Sequence, residues 1–109
     1  MPEYALSKVT KIALKTLGEM IKAARKSQSV PQRLLAERLG ISVKTVTKIE
    51  KGQAGVAIGT VFEAADILGV PLLSSDPNHL QQWHKTLLEF NAILPNRTQM
   101  KDDEIDDNF

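Results

Sequence analysis

The sequence predicts an all-helical protein, and three observations support this fold class. Apolar residues recur at spacings of three and four, which is the period of a helix with one buried face. Most of these stretches are bounded by helix start or stop signals, chiefly Ser, Asp, Gly and Pro. No stretch alternates polar and apolar residues as a half-buried strand would. The 109 residues suffice for one domain with a small core that a second subunit could extend.

The first helix is predicted over residues 10–26. Its apolar residues fall on one face of that helix: Leu14, Leu17, Ile21 and Ala24. Gly18 lies in the middle of this stretch and weakens the prediction there, because glycine is a poor helix former.

Two short helices follow, separated by a tight turn. Pro31 precedes the second helix, Gln32–Leu39, and Gly40 ends it. Ser42 is a good N-cap for the third helix, which Gly52 ends.

Two further helices complete the fold. The fourth is predicted over residues 60–68 and ends before Gly69, and the fifth begins at Asp76 and Pro77 and stops by Pro95. Together these elements predict one domain over residues 1–95. The polar residues 96–109 are expected to form a short, disordered acidic tail.

The net charge of +1 conceals an uneven distribution of charge along the chain. Residues 8–51 carry eleven Lys and Arg against three acids, a balance of +8. Residues 101–109 carry one lysine against five acids, a balance of −4. A basic body with an acidic tail is typical of nucleic-acid proteins, because the phosphate field attracts the basic part. A merely solvated lysine surface is the alternative.

Several other classes of function find no support in the sequence. Because the sequence contains no cysteine, it can form neither disulfides nor thiolate metal sites. The lack of cysteine is consistent with a protein of a reducing compartment. No apolar run approaches the roughly 20 residues that span a bilayer, so we expect a cytoplasmic protein without membrane contact. His79 and His84 have no carboxylate or cysteine to complete a ligand set, so neither a metal nor another cofactor is expected. No Ser/His/Asp or paired-acid arrangement favours an enzyme.

Residues 32–51 have the spacing of a helix-turn-helix. Four positions, the fifth, ninth, fifteenth and eighteenth counted from Gln32, carry the residues that this motif needs: Ala36, Gly40, Val46 and Ile49. A small side chain is needed at Ala36 because the two helices cross closely, and Gly40 can adopt the left-handed conformation that reverses the chain. The residues expected to point inward are Leu35, Leu39, Ile41, Val46 and Ile49.

With these residues in register, the chain resembles the XRE or lambda-repressor-like helix-turn-helix family over about residues 16–70. The stretch "LGEMIKAARKSQSVPQRLLAERLGISVKTVTKIEKG" is similar to the repressor core. The stretch "GVAIGTVFEAADILGV", like the acidic tail with its final phenylalanine, is similar to HipB-like antitoxins, the repressor partners of HipA-type kinase toxins. Pro31 and Ala57 depart from the family, which usually has capping side chains there. The resemblance implies a five-helix lambda-repressor-like DNA-binding domain.

A helix in the major groove contacts base edges with its N-terminal residues, while neighbouring groups hold phosphates. We therefore predict four base-contacting residues on the third helix: Val43, Lys44, Thr47 and Lys48. The valine can pack against a thymine methyl, and Lys44 can donate to guanine O6 and N7. Four further residues are predicted to contact phosphates: Gln32, Ser42, Thr45 and Lys51. The alternative is that all of these are ordinary solvated residues.

Two further sets of residues have other predicted roles. The family resemblance implies a partly buried ion pair between Arg25 and Glu50 that ties the first helix to the end of the third. On the fifth helix, Trp83, Leu87 and Leu88 either form a dimer contact, anchor a toxin subunit or complete the core of the monomer. A single module of this kind contacts few base pairs, so we expect a homodimer on an inverted repeat of double-stranded operator DNA.

The resemblance implies a sequence-specific repressor, and more narrowly the antitoxin that represses its own operon. Its partner would be a HipA-type kinase toxin, or a split version made of a small subunit plus a kinase. A free-standing or phage-type repressor without a toxin is the second hypothesis. A protein-interaction module that has lost DNA binding is the third. The acidic tail either solubilises the protein or docks on a basic surface.

Overall fold

The computed structural model describes residues 5–96, and over this range it contains five α-helices and no strand. The helices are α1 (Lys8–Ser27), α2 (Gln32–Leu39), α3 (Val43–Glu50), α4 (Ile58–Ile67) and α5 (Pro77–Ile93). The prediction of an all-α fold with five helices is therefore confirmed. The predicted disordered tail, apart from Asn96, lies outside the described residues.

Capping side chains begin α1 and α3, whereas α2 and α4 begin without one. α1 begins two residues earlier than predicted, because the Ser7 hydroxyl accepts a hydrogen bond from the Thr10 N–H and so caps the helix. α2 has the predicted bounds, with Pro31 as an N-cap residue that makes no side-chain cap bond. Ser42 caps α3 as predicted. α4 begins at Ile58 rather than residue 60, although Ala57 provides no capping side chain.

α1 to α4 build a first compact unit, which ends at Ser75. Its core is one cluster of buried side chains: Ile21, Leu35, Ala36, Val46, Ile49 and Leu68. Leu39 and Ile41 are partly buried and pack against this cluster. The set of inward-pointing residues predicted for the helix-turn-helix is thus confirmed, and burying it leaves the opposite side of α3 exposed.

The turn between α2 and α3 has the predicted left-handed residue. Gly40 has a φ of +67°, and the Ile41 N–H donates to the Ala36 carbonyl at 3.0 Å. Ala36 itself is 3% exposed at the crossing of the two helices. A residue with a side chain would be strained at Gly40, so this glycine sets the angle of the helix pair.

Two glycines allow α1 to touch the end of α3 through backbone. A Cβ atom on Gly18 would lie 2.5 Å from the Glu50 carbonyl oxygen, and one on Gly52 would lie 2.6 Å from the Lys15 Cα. Gly52 also has a φ of +72°, which favours glycine. From the sequence alone, Gly18 only weakens the prediction of the first helix. In the structure, the packing of α1 on α3 requires glycine at this position.

A second unit begins at Asp76 and contains α5. The Asp76 carboxylate accepts a hydrogen bond from the Asn78 N–H at 2.9 Å, and Pro77 occupies the first turn, where its missing N–H costs nothing. α5 has no buried residue. No helix within residues 5–96 is both long and apolar enough to cross a membrane.

Candidate nucleic-acid interface

The exposed side of α3 is basic. Lys44, Lys48 and Lys51 follow one another at spacings of four and three, so they lie on the same side of the helix, and all three are exposed. We call this set the α3 lysine face. Val43, which is 42% exposed, and the half-buried Thr47 lie beside it. The structure therefore brings the four predicted base-contacting residues together on one surface with Lys51.

The N-terminus of α3 carries two hydroxyl groups in contact. The Ser42 hydroxyl accepts from the Thr45 N–H at 3.1 Å, and the Ser42 and Thr45 hydroxyl oxygens lie 3.0 Å apart. One hydroxyl proton is used between the two side chains, which leaves the other proton able to donate to a phosphate oxygen. Thr47, by contrast, donates its hydroxyl proton to the Val43 carbonyl at 3.1 Å. In this arrangement Thr47 offers a partner its methyl group and an acceptor oxygen.

Arg25 and Glu50 form a buried, two-bond ion pair behind the α3 lysine face. Arg25 Nε lies 2.6 Å from Glu50 Oε2, and Arg25 Nη2 lies 3.2 Å from Glu50 Oε1. The two side chains are only 10% and 4% exposed. Arg25 also donates from Nη1 to the Val30 carbonyl at 2.9 Å. One guanidinium thus joins α1, the segment before α2 and the end of α3.

Gln32 joins this ion pair, which the sequence did not reveal. Its Nε2 donates to Glu50 Oε1 at 3.0 Å, and the side chain is half-buried. One of the two amide protons is therefore engaged within the protein. A phosphate contact by the Gln32 side chain remains a prediction, and it would have to use the second proton. The one sequence signal for this bond was the position of Gln32 in the motif, because the start of α2 and the end of α3 meet in a helix-turn-helix.

The start of α2 offers backbone donors as well. Pro31 makes no side-chain cap bond, and its carbonyl accepts from the N–H groups of Leu34 and Leu35. The N–H groups of Gln32 and Arg33 precede the first of these bonds, so they are oriented outward along the helix axis. Such groups bind anions, which adds to the basic character of this surface.

Gln28 holds α1 to α4, and sequence reasoning missed it. Its Nε2 donates to the Leu68 carbonyl at 2.7 Å, and Leu68 is the C-cap residue of α4. The bond satisfies a carbonyl that the end of α4 leaves without a helical partner. No local pattern in the sequence indicates such a contact, since the two residues are 40 positions apart.

The predicted contact residues of α5 are exposed. Trp83, Leu87 and Leu88 are 59%, 55% and 57% exposed. Trp83 and Leu87 share one side of the helix and line an open apolar depression with Thr86. Leu88 lies about 100° further round the helix, so it does not belong to the same side.

The described residues show no arrangement suited to a metal ion. Within residues 5–96, no three His, Cys, Asp or Glu side chains lie close enough together to hold one. His79 Nδ1 lies 3.9 Å from Asp76 Oδ2 at the exposed start of α5.

Comparison with known proteins finds relatives of the first unit. Residues 21–74 match the family model described as Helix-turn-helix, which includes all of α2, α3 and α4. A protein of Rhodospirillum rubrum named as an uncharacterized transcriptional regulator in the ATPase CF(0) region is 27% identical over 77 residues, covering 64% of this chain and 71% of that protein. An HTH-type transcriptional regulatory protein of Methanococcoides burtonii is 36% identical over 58 residues, covering 53% of this chain but 18% of its own length. Together with the five helices, these matches identify a helix-turn-helix unit of the all-α, lambda-repressor-like fold.

Proposed function

We propose that this protein is a sequence-specific DNA-binding transcriptional repressor that places α3 in the major groove of its operator. The observation that carries this proposal is the α3 lysine face. The second helix of a helix-turn-helix presents Lys44 and Lys48 outward, with Lys51 directly after it, and its single carboxylate, Glu50, is buried against Arg25. A helix surface of this charge is complementary to a groove lined by phosphates.

The positions of the side chains suggest a division of roles within the interface. Val43 and Lys44 lie in the first turn of α3, where a groove-binding helix approaches base edges, and Thr47 and Lys48 lie one turn later. Lys51 follows the last residue of α3, and Ser42 and Thr45 flank its start. These three, with Gln32 and the start of α2, would hold phosphates and so set the register of α3 on the bases.

The buried ion pair supports this proposal because base recognition needs a rigid helix. Arg25 makes three hydrogen bonds, two to Glu50 and one to the Val30 carbonyl. Gln32 adds a third hydrogen bond to the Glu50 carboxylate. Side chains held in this way orient α3 relative to α1 and α2 before any DNA is present, which reduces the ordering cost of binding.

A pair of single variants tests the proposal. Selection from random duplexes by the full chain first defines the operator. Lys44→Ala should then lose about 1 to 3 kcal/mol on the operator and relax the preference at one base pair, because a base contact is removed. Lys51→Ala should weaken binding to operator and scrambled DNA alike and reduce the salt slope by about 1, because a phosphate contact is removed. The measurement is a binding titration on both DNAs at several salt concentrations.

Lys85→Ala is the control, since Lys85 is an exposed lysine of α5 outside the interface. Equal losses from Lys44→Ala and Lys51→Ala on both DNAs would show that the division of roles is wrong. An intact chain that binds no duplex in a salt-dependent manner would refute the DNA-binding function itself. That outcome would favour the hypothesis of a protein-interaction module.

We also propose that two copies bind an inverted repeat and that α5 forms the contact between them. The exposed apolar side of α5, with Trp83 and Leu87, supports this proposal because large apolar patches on a helix are typical of interfaces. A single α3 of eight residues contacts too few base pairs to select one operator. A dimer doubles the number of base pairs contacted.

A narrower function is supported by the resemblance of residues 55–70 to HipB-like antitoxins. On that basis we propose that the repressor regulates its own operon and associates with a HipA-type kinase toxin, or with a split small subunit plus a kinase. A kinase-like reading frame beside the gene, and a stable complex on co-expression of the two products, would support this function. A gene that stands alone, with no such partner, would favour the free-standing or phage-type repressor.

A further inference from the structure

The lysines of α1 form a second basic surface. α1 carries five lysines: Lys8, Lys11, Lys15, Lys22 and Lys26. At about 100° per residue, all five fall within a sector of roughly 60° around the helix, so they share one side. Three of them are exposed, while Lys11 and Lys22 are half-buried. We call this set the α1 lysine face.

The α1 lysine face begins where the α3 lysine face ends. A Cβ atom on Gly52 would lie 2.6 Å from the Lys15 Cα, so the backbone of α1 touches the residue that follows Lys51. Gly18, which borders the lysine sector of α1, is packed in the same way against the Glu50 carbonyl. The two basic surfaces therefore meet at the contact between α1 and the end of α3.

The charge of the α1 lysine face is not neutralised within the described residues. The ion pairs within residues 5–96 are made by Arg25 and Arg33, with a longer contact between His79 and Asp76, and none of these includes a lysine. Glu19 is the only acid of α1, and it lies at the border of the lysine sector. Eight of the ten lysines of the chain belong to the two lysine faces.

The rest of the exposed surface of α1 shows that these lysines are concentrated rather than spread for solubility. Another exposed side of α1 carries mostly apolar or uncharged residues: Val9, Ile12, Thr16 and Met20. Lysines that served only to keep α1 hydrated would be expected there too, because that side exposes apolar area. The one-sided arrangement therefore indicates a surface with an anionic partner.

We propose that the α1 lysine face is a second phosphate-binding surface, which holds the DNA backbone next to the base pairs contacted by α3 and lengthens the footprint of the protein. This inference rests on the proposed DNA-binding function. From Lys8 to Lys26 the face extends about 27 Å along α1, whereas α3 is about 12 Å long. Lysine ammonium groups on flexible stems bind phosphates without regard to sequence, so this surface contributes affinity and not base preference.

The test compares the intact chain with the triple variant Lys8→Gln, Lys11→Gln, Lys15→Gln. Dissociation constants are measured over a range of salt concentrations on a short duplex limited to the operator and on a longer duplex with random flanks. Each lost phosphate contact lowers the salt slope by about 0.9, so the triple variant should lose about 2.7 on the longer duplex. The loss should be smaller on the short duplex. The ratio of operator to scrambled affinity should stay unchanged.

Matched single variants provide the control. Lys15→Gln should lower the salt slope by about 0.9, whereas Lys85→Gln, which removes the same charge from α5, should leave it unchanged. If the triple variant loses helicity by circular dichroism, Lys8→Gln and Lys15→Gln provide the same test, each with an expected loss of about 0.9.

The outcomes separate this inference from the function on which it rests. In one outcome the intact chain binds the operator, and the lysine variants have the same salt slope as the intact chain on both duplexes. That outcome would overturn the second phosphate-binding surface and leave the proposed function of α3 unchanged. Stronger DNA binding by the triple variant would also overturn it, since the face would then hold an acidic segment that competes with DNA. An intact chain that binds neither duplex would overturn both proposals.

Discussion

α3 and α5 are both amphipathic helices, yet their apolar sides have opposite environments. In α3, Val46 and Ile49 are buried and the lysines face outward. In α5, none of the 17 residues is buried, and Trp83 remains 59% exposed. Where a helix buries its apolar side within its own unit, its polar side is left for a partner. Where the apolar side stays exposed, that side is itself the candidate contact surface.

The two helices also differ in what stabilises them. An isolated helix of eight residues is unstable in water, so α3 depends on its contacts with the rest of the first unit. Those contacts are the buried side chains of Val46 and Ile49, the ion pair to Arg25 and the close backbone approach at Gly18, and the Ser42 cap adds a local hydrogen bond. α5 has a cap at Asp76 and twice the length. Four sets of variants test this comparison, ordered by their expected effect on unfolding.

Removal of the buried carboxylate should have the largest effect. Glu50→Ala should lower the free energy of unfolding by roughly 3 kcal/mol, because it leaves the Arg25 guanidinium buried without its partner. Urea denaturation and melting temperature measure the change. Glu37→Ala is the control, since it breaks the exposed Arg33 to Glu37 pair at 3.3 Å and should cost at most about 0.5 kcal/mol. An unchanged melting temperature in Glu50→Ala would show that α3 does not depend on the ion pair.

The close approach of α1 to α3 gives the next largest effect. Gly18→Ala should destabilise the protein by about 2 kcal/mol, because the new Cβ would clash with backbone at the end of α3. Gly59→Ala is the matched control, since Gly59 lies in α4 with nothing within 4 Å of its Cβ position. That change should stabilise the protein by up to about 1 kcal/mol through helix propensity. Thermal unfolding of both variants decides the matter, and a stabilising Gly18→Ala would contradict the packing described for Gly18.

Gln32 distinguishes a bond within the protein from a contact with DNA. Gln32→Ala should lower the free energy of unfolding by about 1 to 2 kcal/mol, because Glu50 loses a hydrogen bond from a half-buried partner. The measurement is denaturant unfolding in the absence of DNA, alongside DNA affinity at two salt concentrations. Gln53→Ala, at an exposed glutamine, is the control. Weaker DNA binding with unchanged unfolding would assign Gln32 to phosphate contact alone.

The smallest effect on the first unit is expected from α5. Leu87→Asp should change the unfolding of α1 to α4 by less than about 0.5 kcal/mol at low protein concentration, since Leu87 is exposed. The same variant should convert a dimer to a monomer, which light scattering or sedimentation would detect. Asn78→Asp introduces the same charge at an exposed position about 180° round α5 from Leu87 and should leave the dimer intact. A dimer that survives Leu87→Asp would place the contact between the copies elsewhere.

Most of the helix-turn-helix could be predicted from the sequence because its signals are local. Pro31 and Gly40 bound α2, and Ser42 caps α3 through its own side chain. The spacing of apolar residues placed Leu35, Val46 and Ile49 in the core, since the period of a helix decides which residues share a face. The same spacing put the lysines of α3 on the exposed side.

The amino-acid sequence by itself therefore determined the five helices, the register of the helix-turn-helix and the candidate residues for base contact. The tertiary structure decided those contacts that form only when segments distant in the sequence pack against each other. It showed that Gly18 is required by the end of α3 and that Gln32 bonds to Glu50. A glycine in a helix or a glutamine at its start has the same local appearance whether or not another element packs against it. Only the three-dimensional arrangement of α1, α2 and α3 distinguishes these cases.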